Sequence, residues 1–241
     1  MCTFDRSRSG DNSLFRGTLG AMAAPLPREA PLRADAARNR DAILETARRL
    51  YGQRGLGVPL DEIARLAGVG NATLYRHFPS RCELVAAVFA CTLGEVIAAA
   101  ESADDEPDAW SGFTRHVRYL CRLQATDRGF ADLITTAVGG APELERLRAR
   151  AYTAFVRLAD KAKVAGALRE DFVPEDLVIL LMANAGVVHR TASTAPTSWN
   201  RFADLALDGL RAAAATPAAP APGRAAVSRA MRERGADLGY R

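Results

Sequence analysis

Apolar residues recur at helical spacing along most of the chain, and Gly or Pro marks the end of each run. In the first run they occupy positions 43, 44, 47, 50 and 51, which is the spacing of one helix face. Similar spacing predicts further helices at about 60–67, 71–78, 81–97, 108–125, 127–138, 142–164, 174–190 and 197–214. No alternating segment is long enough to indicate a sheet. We therefore expect an all-α fold of about nine helices.

The two ends of the chain lack this periodicity. Residues 1–34 mix Ser, Gly, Pro and Ala with scattered charges, and Met22 within them is an alternative start. Residues 216–241 begin TPAAPAPGRAA, where the prolines prevent a helix from continuing. We predict disordered tails at 1–34 and 216–241. Between them we expect a helix-turn-helix domain at 35–81 and a helical regulatory and dimerisation domain at 82–215.

Several classes of protein do not fit the sequence. No run approaches the roughly 20 apolar residues of a membrane span, so we expect no membrane partner. The segment GTLGAMAAPLP near the N-terminus is too short and too weakly apolar for a signal peptide, and we expect a cytoplasmic protein. No convincing nucleophile–base pair is present, and the chain has only three His. We therefore do not expect an enzyme.

The cysteines favour neither a metal site nor a disulfide framework. Cys2, Cys82, Cys91 and Cys121 form no C-x-x-C pair and have no His at ligand spacing. We expect free thiols, no metal and no cofactor. A redox-sensing thiol at position 82, 91 or 121 stays an open alternative.

The charge is distributed unevenly between the two predicted domains. The net charge of the chain is +4. Residues 33–81 carry nine Arg against five acids, whereas residues 82–215 carry fourteen Lys and Arg against eighteen acids. A basic front segment joined to an acidic body indicates that the front alone meets a polyanion, for which double-stranded DNA is a candidate.

Residues 60–78 fit two short helices joined by a turn at Gly68, which tolerates a positive φ. In the second helix Leu74 and Phe78 are four positions apart and form the buried stripe. The small residues at its start allow a close approach to the major groove, where Asn71 and Thr73 can reach base edges. The side chains that can reach phosphates are Tyr75, His77 and Arg81. A two-helix shape of this kind also occurs in proteins that bind no DNA.

The string LDEIARLAGVGNATLYRHFPSRCELVAAVF resembles the signature of the tetracycline-repressor (TetR/AcrR) family of transcriptional regulators. The resemblance covers residues of about 38–90. It implies a homodimeric regulator with a three-helix DNA-binding domain and a ligand-responsive, dimerising body. By position it implies base or groove contacts for Asn71, Ala72 and Thr73. It implies phosphate contacts for Tyr75, His77 and Arg81.

Three positions depart from the family pattern. Pro59 and Gly70 stand where many members have Ser or Thr, so two hydroxyl groups that can bind phosphate are lost. Asp61 stands where some relatives have a base-reading Arg, and its charge repels the DNA backbone. We therefore expect the third helix to read the bases.

The sequence of the body is less specific. Its large residues are candidates for lining a ligand cavity, although such residues are often ordinary core: Trp110, Phe113, His116, Phe130, Tyr152 and Phe155. The helix at 174–190 is apolar nearly all round and contains small residues that permit close packing. Pairing of the helices at 174–190 and 197–214 with those of a second subunit would bury it. Burial within one subunit is the alternative.

These features together predict a repressor that binds a palindromic operator as a homodimer. An unidentified small-molecule effector is expected to release it. The alternative is a small-molecule binding module with a vestigial helix-turn-helix, which Asp61 and the two missing hydroxyls favour.

Overall fold

The computed structural model describes residues 29–240, with side chains described from residue 35 onward. This range folds into ten α-helices and a short 3-10 turn at Ala212–Ala214, and its β structure is one bridge between Leu168 and Arg211. The helices are α1 (Glu29–Arg54), α2 (Leu60–Leu66), α3 (Asn71–His77), α4 (Arg81–Asp104), α5 (Ala109–Thr126), α6 (Arg128–Thr135), α7 (Pro142–Val164), α8 (Pro174–Thr191), α9 (Ser198–Gly209) and α10 (Arg224–Asp237). The predicted all-α fold is confirmed, with one helix more than expected.

Helix α1 joins the small N-terminal unit of α1–α3 to the rest of the molecule. Its predicted apolar face is buried, with Ile43, Ala47 and Tyr51 fully covered. The ring of Tyr51 stacks on Phe89 of α4, with centroids 6.4 Å apart. Helix α1 packs against α2 and α3 within the unit and against α4 and α6 of the rest of the molecule, so it helps to set the position of the N-terminal unit.

Helix α4 runs from the N-terminal unit into the body. The hydroxyl oxygen of Ser80 accepts a hydrogen bond from the backbone N–H of Glu83 at 3.1 Å, as the S-x-x-E pattern predicted. By length and composition α4 could cross a membrane, with a mean hydropathy of 1.9 over its most apolar 18-residue window. The expectation that no run is this apolar was therefore wrong. In the structure α4 packs against α1, α5 and α7, which cover its apolar residues.

The body, α4–α9, is held by aromatic packing and by one buried polar pair. Phe113, Phe155 and Phe172 contact one another with ring centroids 5.7–6.3 Å apart. Between α5 and α8 the amide of Asn184 donates to the side-chain oxygen of Gln124 at 2.8 Å, and Gln124 donates to a backbone carbonyl of α8 at 3.0 Å. Buried polar groups paired in this way fix how the two helices align.

Both predicted tails need correction where the structure describes them. Residues 1–28 lie outside the described range, but α1 already begins at Glu29, within the segment predicted to be disordered. The prolines do keep residues 216–223 out of a helix, yet α10 begins directly after Gly223. Contacts with residues far away in the sequence stabilise α10, and the local sequence pattern does not reveal these contacts. The prediction of a disordered segment at 216–241 is therefore wrong for residues 224–240.

Close backbone approach explains why α10 can pack against the body. A Cβ on Gly235 would lie 2.5 Å from the carbonyl oxygen of Ala137, so only glycine fits at this contact. The backbone N–H of Ala137 donates to the carbonyl of Met231 at 3.0 Å. The segment after α6 and the middle of α10 are therefore joined by their backbones, which explains why α6 ends at Thr135 and not at the predicted position 138.

Candidate nucleic-acid interface and effector chamber

The turn between α2 and α3 has the conformation that the sequence predicted. Gly68 has a φ of +71°, in the left-handed region, and a Cβ there would meet nothing within 4 Å. Glycine is therefore favoured by backbone conformation and not by lack of space. The N–H of Val69 donates to the carbonyl of Ala64 at 3.0 Å, and Val69 packs against the core. The turn thus sets the angle between α2 and α3.

Two side chains one turn apart hold α3 on the core. Leu74 is 1% exposed and Phe78 is 3% exposed, as their spacing predicted. The carbonyl of Gly70 accepts hydrogen bonds from the N–H groups of Thr73 and Leu74, and no side chain caps the helix. Helix α2 likewise follows Pro59 without a side-chain cap. Because Pro59 and Gly70 have no hydroxyl group, α2 and α3 each begin without a side-chain cap.

The surface of α3 that Leu74 and Phe78 leave free carries five of the six predicted DNA contacts. Asn71 and Ala72 are exposed, and Thr73 and His77 are half-buried. Tyr75 is 49% exposed although it is a large aromatic residue. A short helix therefore presents an amide, a methyl, a hydroxyl, a phenol and an imidazole beside one another, which are the groups that contact base edges and phosphates.

The sixth predicted DNA contact, Arg81, is placed differently. Its guanidinium donates to the carbonyl of Leu56 at 2.9 Å and lies 5.6 Å from the centre of the Tyr240 ring. Arg81 is thus engaged with the loop between α1 and α2 and with the segment after α10. A phosphate contact by Arg81 would require it to exchange these internal contacts for DNA.

Helix α6 links the N-terminal unit to the body. A carboxylate oxygen of Asp132 accepts a hydrogen bond from the N–H of Leu56 at 2.9 Å. Four residues earlier, the guanidinium of Arg128 donates to the carbonyl of Gln53 at 3.4 Å. A movement of α6 would therefore be transmitted directly to the end of α1 and to the loop that follows it.

A cavity of about 450 Å³ lies among α4, α5, α6, α7, α8 and α10, and we call it the effector chamber. Its apolar wall includes Leu93, Val96, Leu120, Leu133, Leu177, Leu181 and Val227. Small-molecule sites are usually of this size and are mainly apolar with a few polar groups. A larger groove of about 800 Å³ lies along α4, α5 and α9. Two of its arginines, Arg115 and Arg118, already pair with carboxylates, so the effector chamber is the better candidate for a ligand site.

The effector chamber contains three of the six predicted ligand-binding residues. His116, Tyr152 and Phe155 line it. The other three lie in the core outside its wall: Trp110, Phe113 and Phe130 are 8%, 0% and 0% exposed. Trp110 packs under the guanidinium of Arg211, 4.6 Å from the ring centre. These three residues therefore lie where the alternative interpretation, ordinary core residues, places them.

His116 is the main buried titratable group of the chamber wall. It is 2% exposed, and burial lowers its pKa to about 4, so the ring is neutral at pH 7. Its Nδ1 is buried without a hydrogen-bond partner among the described residues. A neutral imidazole with an unpaired nitrogen can accept or donate one hydrogen bond, according to its tautomer.

Two arginines that no sequence pattern singled out, Arg148 and Arg224, also line the chamber. Arg148 donates to the carbonyl oxygens of Leu133 and Thr136, at the C-terminal end of α6. Burial lowers the pKa of Arg148 to about 10, which leaves it charged at neutral pH. In sequence Arg148 lies five residues after Glu143 in a run of α7 that is rich in charged residues, and such a run is typical of a solvated helix face. The other arginine belongs to a segment predicted to be disordered.

Two of the cysteines proposed as redox sensors are poorly placed for reactivity. Burial raises the pKa of Cys121 to about 12 and also raises the pKa of Cys82. Because the thiolate is the reactive form, both thiols are held in the unreactive form at neutral pH. Cys91 is exposed, with its Sγ 3.7 Å from a carboxylate oxygen of Glu95.

A helix-turn-helix unit with an exposed polar third helix, joined to a helical body with an apolar chamber, defines a DNA-binding transcriptional regulator. Residues 43–88 match the family model of bacterial regulatory proteins of the tetR family. Residues 106–212 match the C-terminal domain of SbtR-like transcriptional regulators. The two matches together cover more than half of the chain, which belongs to the TetR family of transcriptional regulators.

The chain is similar to several individual proteins. An HTH-type transcriptional regulator of Staphylococcus aureus (strain USA300) is 39% identical over 54 residues, which are 22% of this chain and only 29% of that protein. A TetR transcription regulatory protein from Mycobacterium vanbaalenii is 32% identical, with coverage of 75% and 99% of the two chains and a TM-score of 0.44. A TetR-family regulator from Agrobacterium tumefaciens is 18% identical, covers 73% and 99% and has a TM-score of 0.54, which shows a common fold.

Proposed function

We propose that the protein is a repressor that binds a palindromic operator as a homodimer and leaves it when a small molecule fills the effector chamber. The observation that carries this proposal is the outward face of α3. Leu74 and Phe78 are the buried side chains that hold the helix on the core, whereas Asn71, Ala72 and Tyr75 are exposed. Exposed groups of this chemistry at a helix-turn-helix favour operator contact by Asn71, Ala72 and Thr73, with phosphate contact by Tyr75 and His77.

An uncovered apolar face on α8 and α9 supports the homodimer. The inner side of α8 is buried through Leu177, Leu180 and Leu181. On its outer side Ile179 is 42% exposed, and Leu205 of α9 is 55% exposed. Ala183 and Gly186 of α8 are exposed as well and would permit close helix approach. A second copy could bury this face, and operator binding would then require the two α3 helices of the dimer to lie in major grooves about 34–36 Å apart.

The contacts of α6 support release by an effector. Its last carbonyls meet Arg148 in the wall of the chamber, and its Asp132 holds the N–H of Leu56 beside the DNA-binding unit. A ligand that shifts α6 would change the separation of the two α3 helices of a dimer. Affinity then falls because the two half-sites cannot be engaged together.

The second candidate function is a small-molecule binding module whose helix-turn-helix no longer binds DNA. Asp61 is exposed on α2, where its charge would repel the phosphate backbone. The internal contacts of Arg81 with Leu56 and Tyr240 also favour this candidate.

Fluorescence anisotropy with labelled DNA from the region flanking the gene separates the two functions. We expect saturable binding that is far tighter than binding to a scrambled fragment of equal length. Binding should weaken steeply between 50 and 200 mM salt, since phosphate contacts release counterions. No saturable binding to either fragment, even at the lowest salt concentration, would favour the binding module.

A further inference from the structure

Helix α10 reaches both the effector chamber and the DNA-binding unit. Its first half contributes Arg224, Val227, Ser228 and Met231 to the chamber wall. The residues at and after its end contact the other domain: Leu238 lies against Gly57, and Tyr240 donates to the carbonyl of Leu56. One helix of 14 residues therefore touches the ligand site at one end and the loop between α1 and α2 at the other.

The charged groups of the chamber are predominantly cationic. Arg148 has only the two backbone carbonyls as hydrogen-bond partners, and Arg224 lies over the ring of Tyr152, 5.2 Å from its centre. In the described part of the chain neither guanidinium has a carboxylate within 4.0 Å, and Glu145 acts on Arg148 only through space. One carboxylate, Glu175 at the start of α8, also lines the chamber. Two arginines against one carboxylate leave the chamber lining with a net positive charge, with Arg148 half-buried in a mainly apolar wall and Arg224 exposed to solvent.

A positive charge without an acidic partner in an apolar wall favours a ligand that is apolar along most of its length and negative at one end. Leu93, Val96 and Leu120 provide the apolar side opposite α10. His116, with its unpaired Nδ1, adds one hydrogen-bonding group to the same wall. The chamber volume of about 450 Å³ is within the range of pockets that bind small molecules of this kind.

We propose that the effector chamber binds an amphipathic anion, with its apolar chain on the leucine-rich wall and its carboxylate facing Arg148 and Arg224, and that α10 closes over it. This inference rests on the proposed role of the chamber as the effector site. Within its own span α10 buries only Val227 and Gly235, so its attachment to the body is limited. A ligand beneath it adds apolar contacts to Val227 and Met231 and therefore tightens its attachment.

Tyr240, just after the end of α10, transmits the firmer attachment of this helix to the DNA-binding unit. Tyr240 contacts the loop before α2 through Leu56 and also packs against Arg81 at the start of α4. In sequence Leu56 precedes α2 and Arg81 follows α3, so the two points flank these helices. When α10 is held more firmly, both points are held more firmly, and ligand binding is coupled to the placement of α3.

Calorimetric titration with decanoate and with 1-decanol tests the ligand class, because the two probes share an apolar chain and differ in charge. We expect decanoate to bind about tenfold more tightly than 1-decanol, because hydrogen bonds between charged groups contribute about this much affinity. Arg224→Gln should weaken decanoate binding by about fivefold or more and leave decanol binding unchanged. Arg229→Gln, on the exposed side of the same helix, is the matched control and should bind both probes like wild type.

Equal affinity for the two probes, or an Arg224→Gln variant that binds decanoate like wild type, would overturn the proposed ligand class. Arg224 is the deciding position because Arg148 also holds the end of α6, and its replacement can impair folding. A folded Arg148→Gln variant should show the same selective loss of decanoate binding.

Hydrogen exchange measured by mass spectrometry tests the role of α10. Saturating decanoate should slow exchange over residues 224–240 and over residues 55–58. In Tyr240→Ala the slowing should persist at 224–235 and disappear at 55–58. Bound decanoate without slower exchange at 224–240 would exclude α10 as the closing wall. Neither measurement uses DNA, so a failure here is distinct from a failure of operator binding.

Discussion

The phenol of Tyr240 donates a hydrogen bond to the carbonyl oxygen of Leu56 at 3.1 Å, across 184 positions of sequence. The same carbonyl accepts a second hydrogen bond from Arg81 at 2.9 Å. Burial raises the pKa of Tyr240 to about 12, so the phenol stays a donor at neutral pH. The end of the chain therefore fixes the loop between α1 and α2, at the border of the DNA-binding unit.

Replacement of Tyr240 by Phe should lower the free energy of unfolding by about 1 kcal/mol, since one buried hydrogen bond is lost while Leu56 keeps its bond from Arg81. Urea denaturation measures the change. Tyr75→Phe, at a 49% exposed position, is the control and should stay within about 0.5 kcal/mol of wild type. An unchanged midpoint for Tyr240→Phe would show that the contact is not formed in solution.

Replacement of Gly68 by Ala should destabilise the protein by about 1–2 kcal/mol, because an L-residue is strained at a φ of +71°. Gly68→Asn should cost less, since Asn tolerates this conformation. Gly70 has a φ of −74° and open space around it, so Gly70→Ala should be nearly neutral. Thermal unfolding of the three variants compares them directly. Equal losses for Gly68→Ala and Gly70→Ala would contradict the argument from backbone conformation.

Variants on α3 should separate phosphate contacts from base contacts. Tyr75→Ala should weaken binding to specific and scrambled DNA alike and leave the salt dependence nearly unchanged, because a neutral phenol releases no counterion from a phosphate. Asn71→Ala should cost about 1–3 kcal/mol on the specific fragment alone. Anisotropy titrations on both fragments give the two numbers. Arg65→Ala, exposed on α2, removes a positive charge, which neither α3 variant does, and shows how strongly charge alone affects binding to both fragments.

The pH dependence of stability should report on His116. Burial lowers its pKa to about 4, whereas the unfolded chain titrates near 6.5. As the pH falls below 6.5, the unfolded state takes up a proton that the folded state does not. The folded state therefore loses stability down to about pH 4, by on the order of 3 kcal/mol.

His116→Phe should remove this loss, so that its stability changes less between pH 7 and 4.5 than that of wild type. Urea titrations at several pH values give the free energy of unfolding as a function of pH. Only the slope of this dependence is compared, because the substitution also changes the absolute stability. His189→Gln, at an exposed position, should keep the wild-type slope. A His116→Phe slope equal to that of wild type would place the responsible proton elsewhere.

Leu205→Glu should convert the proposed homodimer into monomers, because a carboxylate on the apolar face of α8 and α9 cannot be buried without a partner. Light scattering at micromolar concentration gives the mass. Val164→Glu, at a residue 91% exposed at the end of α7, is the matched control and should leave the mass unchanged. A wild-type protein that is monomeric under these conditions would remove the basis of the dimer proposal.

Local patterns in the sequence were sufficient for the helices and for the DNA-binding unit. The spacing of Leu74 and Phe78 predicted the buried side of α3, and Gly68 marked the turn before it. The start and end of α7 also match the prediction, since Pro142 and Gly166 punctuate an amphipathic run. These signals are legible in one sequence because each depends on residues within a few positions of one another.

The sequence by itself determined the all-α fold, the turn at Gly68 and the side chains that α3 presents. Only the tertiary structure decided which large residues line the chamber and that α10 folds. Trp110 and His116 lie on the same helix, yet only His116 lines the chamber, because neighbouring helices decide which faces meet a cavity. Helix α10 has a weak pattern of its own and is stabilised through contacts such as Gly235 with Ala137 and Tyr240 with Leu56. Such contacts join residues far apart in sequence, so no local pattern encodes them.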